Sequence, residues 1–161
     1  MKKIINKYIT ASIVSACMAL GINTSVNAGE YGFQKIAYHV NYDTAKRQAG
    51  ALRNIQNHIN AVGKDNMDLR VIMHGKGLSM LLLPEEAGNT KLPIGNATDA
   101  LSAKIAGLKA QGVSFKVCAN TLKGKKITLD QLYDAEKSDI VASGVAELAH
   151  LQARGFTYLK P

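Results

Sequence analysis

Residues 34–73, QKIAYHVNYDTAKRQAGALRNIQNHINAVGKDNMDLRVIM, contain a strand pattern, a helix pattern and a second strand pattern in succession. The segments Gln34–Val40 and 68–73 are short, mostly apolar runs rich in strand-forming residues. Between them, the apolar residues of segment 44–62 recur at three- and four-residue spacing, and Gly63 follows. This spacing is typical of an amphipathic helix that ends at a glycine. A helix between two strands predicts a right-handed crossover and parallel pairing.

The remainder of the chain continues this alternation. An apolar run at residues 78–83 fits either a short helix or a buried loop. The patterns predict further elements in this order: a helix capped by Asn96 or Thr98 that runs to about residue 111, a strand over 113–118, a helical turn capped by Thr128, a strand over 140–142, a helix over 145–154 and a strand over 156–159. Together they predict an α/β fold, a three-layer α/β/α domain with a mostly parallel sheet of about five strands.

The composition is that of one globular domain preceded by a targeting segment. Of 161 residues, 47% are hydrophobic and 20% are charged, which argues against disorder. Residues 1–7 hold three lysines, residues 8–22 are apolar or small, and Ala28 ends the sequence Val-Asn-Ala. This order predicts a signal peptide over residues 1–28 that is cleaved after Ala28. The domain then spans residues 29–161, and the protein is expected to be periplasmic or secreted.

A second interpretation of the N-terminus is a lipoprotein signal. Residues 14–17 (VSAC) fit a lipobox, which would make Cys17 a lipidated N-terminus. The apolar run continues beyond Cys17 to Ile22, so cleavage after Ala28 is favoured. That cleavage would leave Cys118 as the only cysteine of the mature protein.

Charge and motif content argue against several classes of protein. Removal of residues 1–28 takes away three lysines and no acid, so the net charge falls from +8 to +5. No basic stripe interleaved with aromatic residues is present, and we expect no nucleic-acid partner. The chain lacks a G-x-G-x-x-G sequence after its first strand and lacks a Walker A motif, so no nucleotide cofactor is expected. After the N-terminus no apolar run reaches the length of a membrane span.

Three chemically reactive side chains fall at the ends of three successive predicted strands. His39 lies near the end of the first, His74 just after the second and Cys118 at the end of the third. The carboxyl ends of parallel strands meet at one edge, where open α/β sheets bind their ligands. The sequence therefore predicts that these three residues lie near one another. His58 and His150 fall within predicted helices and are expected to be structural or exposed.

Cys118 lies in a lysine-rich segment. Residues 116–126 contain four lysines, among them Lys116 and Lys123, and no acid. Positive charge favours the thiolate form of cysteine, which is the nucleophile and the ligand for soft metals. The pattern fits a reactive thiol, for which either histidine of the predicted edge could act as a base. It fits equally a solvated lysine loop that points elsewhere, with Cys118 as an inert buried residue or an intermolecular link.

Five parts of the chain carry a family resemblance: residues 37–41 (AYHVN), 52–59 (LRNIQNHI), 71–77 (VIMHGKG), 117–122 (VCANTL), and Gly144 followed by residues 151–161 (LQARGFTYLKP). In this order, and over essentially all of residues 34–161, they resemble the DsrE/DsrF-like family, and most of all its exported single-domain branch.

The resemblance implies a fold of about five strands, a homo-oligomer (trimer or hexamer) and sulfur-relay chemistry. In that chemistry a cysteine carries sulfur as a persulfide and passes it to a partner thiol. The family's cysteine corresponds to Cys118, and Asn120 and Thr121 correspond to its supporting loop. His39 and His74 match motif positions of the family.

These observations favour an exported sulfur carrier or sulfurtransferase-like protein of sulfur metabolism. Cys118 would attack a sulfur-donor compound, hold the sulfur as a persulfide and release it to a protein thiol acceptor. Loop amides around Asn120 would stabilise the anion, and Lys116 or Lys123 would favour it electrostatically.

An alternative hypothesis is a non-catalytic periplasmic binding or assembly subunit. His39, His74 and Cys118 would then hold a soft metal or a small ligand, since imidazole and thiolate suit copper or zinc. No close metal-ligand spacing in the sequence supports this alternative.

Overall fold

The structure is a computed structural model that describes residues 30–161. Within that range five parallel strands form one sheet between helices, and the predicted three-layer α/β/α fold is confirmed. The signal peptide predicted over residues 1–28, with Cys17, lies outside the described residues. The strands are β1 (Gln34–Val40), β2 (Met67–Met73), β3 (Ser114–Cys118), β4 (Ile140–Val141) and β5 (Thr157–Leu159). The helices are α1 (Ala45–Val62), α2 (Asp99–Lys109), α3 (Ala119–Lys125) and α4 (Gly144–Ala153).

The strand order β4-β3-β2-β1-β5 gives α4 a particular path. Strands β4 and β5 form opposite edges of the sheet, so α4 has to cross the sheet between them. Because all strands are parallel, α4 begins at the carboxyl edge and returns the chain to the amino edge. The first turn of α4 therefore lies where β3 and β4 end.

The larger part of the core lies on the face of the sheet that α1 and α2 cover. Alternate residues of the strands point into it, as the two-residue period of a strand requires. Each large apolar side chain buried there contributes on the order of 1.5–3 kcal/mol. The fully buried strand and helix residues of this face include Val40, Val71, Met73, Phe115, Val117, Leu52, Ile55 and Ile105.

The opposite face has a smaller core beneath α4. Ala37 and Ile72 from the sheet pack there with Leu148, Leu151 and Phe156. Around this cluster the face is more polar, and the guanidinium of Arg70 lies 4.8 Å from the centre of the Phe156 ring.

Strand register places the reactive residues on this second face. His39 pairs with Ile72 of β2, and Ile72 pairs with Lys116 of β3. Paired residues of parallel strands, and residues two apart on one strand, point to the same face. His39 and Cys118 therefore lie on the α4 face, at the carboxyl edge.

Two segments differ from their sequence-based interpretation. The expected loop around Asn120 is the first turn of α3, which is too short for an apolar period to show in the sequence. The ambiguous apolar run begins as a 3-10 helix, Gly75–Met80, and residues 78–82 are buried. Thr44 and Thr98 occupy the N-cap positions of α1 and α2.

The segment after β2 is held against the end of β1. The buried Gln48 amide donates to the backbone oxygen of Tyr42 at 2.7 Å and to the Ser79 hydroxyl at 2.9 Å. Asn96 donates in turn to the Gln48 side-chain oxygen at 2.8 Å. At Gly77 a Cβ atom would lie 2.0 Å from the carbonyl oxygen of Val40, so only glycine permits this approach.

Within residues 30–161 no helix is both long enough and apolar enough to cross a membrane.

We expect Gly77→Ala to lower the free energy of unfolding by at least about 2 kcal/mol, because the new methyl group meets rigid backbone. Gly107→Ala is the matched control. Gly107 lies on the exposed side of α2 with open space around it, and alanine there is expected to add up to about 1 kcal/mol. Urea unfolding of both variants measures the two values. Equal stability of Gly77→Ala and the wild type would show that this approach is not tight.

Candidate active site

Three chain segments meet at the carboxyl edge of the sheet on its α4 face. The first follows β2 and starts at His74, the second is the junction of β3 and α3 at Cys118, and the third is the start of α4 at Gly144. His39, at the end of β1, completes the group. The site thus consists of side chains and backbone groups from four parts of the chain.

The Cys118 side chain is buried and surrounded by hydrogen-bond donors. Its exposed fraction is 4%. The hydroxyl of Thr121 and the backbone N–H groups of Gly144, Thr121 and Asn120 all form hydrogen bonds with the sulfur. Burial is the largest single effect and raises the pKa of Cys118, but the four hydrogen bonds together lower the pKa below its ordinary value.

These backbone donors belong to the first turns of two helices. Cys118 itself is the N-cap residue of α3, and Ser143 is the N-cap residue of α4. The first N–H groups of a helix have no partner within the helix, and the helix dipole favours negative charge there. A sulfur at this junction receives N–H donors from both helices, and the arrangement therefore stabilises a thiolate.

Thr121 connects the sulfur to the segment after β2. Its hydroxyl oxygen accepts a hydrogen bond from the Gly75 N–H at 2.8 Å, which leaves the hydroxyl proton for the Cys118 sulfur. Gly75 has a φ of 56°, in the left-handed region that glycine adopts readily. The turn at Gly75 and the placement of Cys118 are therefore coupled through one hydroxyl.

Gly144 connects the sulfur to His74. Its N–H donates to Cys118, while a Cβ atom at this position would lie 2.9 Å from Cβ of His74 and 3.1 Å from its Cδ2. The imidazole of His74 therefore rests directly against the residue that donates to the sulfur. Any side chain at position 144 would displace the imidazole or the helix start.

His74 also joins a chain of hydrogen bonds with His39 and Tyr158. The Nε2 atoms of the two histidines are 2.7 Å apart, and Nδ1 of His39 is 2.7 Å from the Tyr158 hydroxyl. The two imidazole planes lie 22° apart, with centroids 4.7 Å apart. Because each hydrogen bond holds one proton, the two imidazoles adopt complementary tautomers.

Both histidines of this chain are neutral near pH 7. Burial, the charge of His74 and the charge of Lys160 lower the pKa of His39 to about 4. Burial and Lys160 also lower the pKa of His74. The positive charge of Lys160 therefore opposes the arrival of another cation in this part of the site.

The remaining predicted site residues have different positions. Asn120 is exposed and reaches the sulfur through its backbone N–H. The Lys116 ammonium donates to the Ser138 carbonyl at 3.0 Å and pairs with Asp139 at 3.5 Å, while Lys123 is exposed in the last turn of α3. Hydrogen bonds, and not lysine charges, lower the pKa of Cys118.

The other histidines lie apart from the site. Nδ1 of His58 forms a hydrogen bond of 3.0 Å with the Tyr38 hydroxyl, and its Nε2 forms one with the Gln34 side-chain oxygen. His150 is exposed on α4. Among residues 30–161 no group of three or more histidine, cysteine, aspartate or glutamate side chains is placed to hold a metal ion.

The sequence analysis assigned no role to Gly75, Gly144, Tyr158 or Lys160, although all four fall within the segments that carry the family resemblance. The glycine that follows Ser143 at a predicted strand–helix junction is the one local signal that could have directed attention to Gly144. Tyr158 pairs with Ala37 in the sheet and so points to the same face as His39, a relation that requires the strand register.

Comparisons with known proteins agree with this fold. The profile of the DsrE/DsrF-like family matches residues 34–161. The solved structure of the protein of unknown function MTH1491 from Methanobacterium thermoautotrophicum is similar, with a TM-score of 0.63 and 23% sequence identity. That match covers 80% of this chain and 99% of MTH1491, and at this identity it shows the fold alone. No curated protein matches the chain.

Thr121→Val removes the hydroxyl that donates to the sulfur, and we expect it to raise the pKa of Cys118. Since a hydrogen bond to a charged group is worth about 1.5–3 kcal/mol, alkylation by iodoacetamide near neutral pH should slow by about tenfold or more. The control is Thr98→Val, because Thr98 is exposed and its side chain makes no cap hydrogen bond. Equal rates for Thr121→Val and the wild type at every pH would contradict the assigned hydrogen bond.

The pKa of about 4 for folded His39 predicts a pH-dependent stability. Between about pH 6.5 and pH 4 the unfolded chain binds a proton that the folded protein does not, so the free energy of unfolding falls as the pH falls through this window. The contribution of His39 amounts to at most about 3 kcal/mol. His39→Gln should therefore flatten the curve of stability against pH, measured by urea unfolding. Because the pKa of His74 is also lowered, part of the slope should remain. A slope that His39→Gln leaves unchanged would contradict a neutral, buried His39.

Proposed function

The chain belongs to the DsrE/DsrF-like family, which is associated with sulfur relay, and on this basis we propose that it is an exported sulfur carrier that holds sulfur on Cys118 as a persulfide. The observation that carries the proposal is the set of four hydrogen-bond donors around the buried Cys118 sulfur. A thiolate is the form of cysteine that attacks sulfur electrophiles, and these donors favour that form.

Loading of the carrier is a nucleophilic displacement at sulfur. With thiosulfate as the donor, the Cys118 thiolate attacks the outer sulfur, a new S–S bond forms, and the bond from that sulfur to the sulfite group breaks. Sulfite leaves with the electron pair, and Cys118 keeps the transferred sulfur as a persulfide anion. The step needs no added oxidant or reductant, because the outer sulfur changes partners only.

Release reverses the roles. An acceptor thiol attacks the outer sulfur of the Cys118 persulfide, and the electron pair of the broken S–S bond returns to Cys118 as a thiolate. The Thr121 hydroxyl and the Gly144 N–H then stabilise the leaving group. The same donors thus favour both the attacking and the departing form of Cys118.

The burial of Cys118 favours a small donor over a protein donor. At an exposed fraction of 4%, the sulfur is out of reach of a bulky thiol, so a small inorganic sulfane compound suits loading better than a protein donor. An S–S bond of about 2.05 Å moves the reactive atom outward once the persulfide has formed, toward a larger acceptor such as a protein thiol. Export through a signal peptide over residues 1–28 and assembly as a trimer or hexamer are parts of this proposal.

The soft-metal alternative has weaker support. The Nε2 atoms of His39 and His74 bond to each other, and the positive charge of Lys160 opposes a cation beside them.

Incubation of the full-chain protein with thiosulfate or polysulfide should add whole sulfur atoms, detected by intact-mass spectrometry and removed by reductant. Cys118→Ser should fold with an unchanged circular dichroism spectrum and add none, while Cys17→Ser should load like the wild type. The same spectra distinguish an N-terminus after Ala28 from a lipidated Cys17. Loading that persists in Cys118→Ser, or a wild type that never loads, would contradict the carrier function.

A further inference from the structure

A continuous hydrogen-bonded chain beside Cys118 remains without a role in the displacement described above. It runs from His74 to His39 and on to Tyr158, with two contacts of 2.7 Å. His39 is buried, with an exposed fraction of 7%, whereas Tyr158 is 38% exposed. The chain therefore connects the half-buried His74 through a buried imidazole to the protein surface.

The inner end of this chain lies at the sulfur site. His74 contacts Gly144, whose N–H donates to the Cys118 sulfur. The residue after His74, Gly75, donates to the hydroxyl of Thr121, which also bonds to that sulfur. Two separate residues thus link His74 to Cys118.

We propose that His74 accepts the proton of the acceptor thiol during release of sulfur from Cys118, and that His39 and Tyr158 pass this proton to solvent. The inference rests on the sulfur-carrier function proposed above. In this role His74 is the base that touches the substrate, and His39 and Tyr158 are relay residues.

The step balances in atoms and charge. The S–H bond of the acceptor breaks, and its proton goes to Nδ1 of His74. The electron pair of the acceptor sulfur forms the new S–S bond with the outer sulfur of the persulfide. The bond between that outer sulfur and Cys118 breaks, and its electron pair remains on Cys118 as the thiolate. The persulfide anion left by loading first takes up one proton from water. The neutral thiol and the neutral persulfide then give a new persulfide, one thiolate and one proton.

One arrangement of protons fits this role. Nε2–H of His74 donates to Nε2 of His39, and Nδ1–H of His39 donates to the Tyr158 hydroxyl. Nδ1 of His74 then carries a lone pair and has no hydrogen-bond partner within residues 30–161. A proton taken up there shifts each N–H proton one step outward, and the Tyr158 hydroxyl proton passes to water.

The charges around this hydrogen-bonded chain favour passage of the proton to solvent over its retention on an imidazole. Among residues 30–161, the titratable and charged groups that face the two imidazoles are each other, Tyr158 and Lys160, and the Cys118 thiol lies beyond Gly144. Burial and the positive charge of Lys160 hold the pKa of His39 and that of His74 below their ordinary value. An imidazolium therefore does not accumulate near pH 7.

The test separates release from loading. Full-chain protein is first loaded with thiosulfate or polysulfide and freed of excess donor. It is then mixed with a small thiol of ordinary pKa. Loss of the persulfide is followed by quenched mass spectrometry from pH 6 to pH 9.5. The loaded fraction of His74→Gln and of Tyr158→Phe is measured first, and release is expressed as a rate constant per loaded molecule. Below the thiol's pKa of about 8.5, His74→Gln should release sulfur about 100-fold more slowly, and Tyr158→Phe should also be slower. Above that pH the acceptor is already a thiolate, so both variants should approach the wild-type rate.

Another part of the protein offers a matched control. Tyr38 and His58 form a similar tyrosine–histidine contact of 3.0 Å through residues of the opposite face, so Tyr38→Phe and His58→Gln should release sulfur like the wild type at every pH. Two results would overturn the relay while loading remained intact. One is that His74→Gln releases sulfur at the wild-type rate, and the other is that its release is slowed by the same factor at every pH. A wild type that cannot be loaded would overturn the carrier function together with the relay.

Discussion

A thiolate enclosed by protein has to receive from the chain the hydrogen bonds that water would otherwise supply. Around Cys118 the supply comes from the Thr121 hydroxyl and from backbone N–H groups of two helices. Helix α3 begins directly after Cys118, and α4 begins at Gly144. The solvation of one sulfur atom therefore constrains where two helices start and how β3 and β4 end.

Close approaches between backbone segments are the second requirement of this arrangement. Gly144 has to lie against His74 while its N–H points to the sulfur, and Gly77 has to lie against the Val40 carbonyl so that the segment after β2 returns over β1. Both glycines therefore serve the geometry of one edge. The placement of the His74 imidazole and the ionisation of the Cys118 thiol depend on the same contacts.

The sequence allowed the strands, the larger helices and the meeting of His39, His74 and Cys118 at one edge to be predicted, because apolar period and strand direction are local properties. It did not allow the prediction of what surrounds the sulfur. Lys116 is two residues from Cys118 but pairs with Asp139, whereas Gly144, 26 positions away, donates to the sulfur. Distance along the chain therefore does not determine which groups interact with the Cys118 sulfur. The path of α4 across the sheet determines it, because this path brings Gly144 to Cys118.

Hydrogen bonds lower the pKa of the buried Cys118 thiol below its ordinary value, and the carrier role of this residue depends on that shift. Ultraviolet absorbance of the thiolate, taken as the difference between the protein and its Cys118→Ser variant over a pH titration, tests this claim most directly. We expect a midpoint below the ordinary cysteine value of about 8.5. A midpoint at or above that value would show that burial outweighs the hydrogen-bond donors, and Cys118 would then not be an activated thiol.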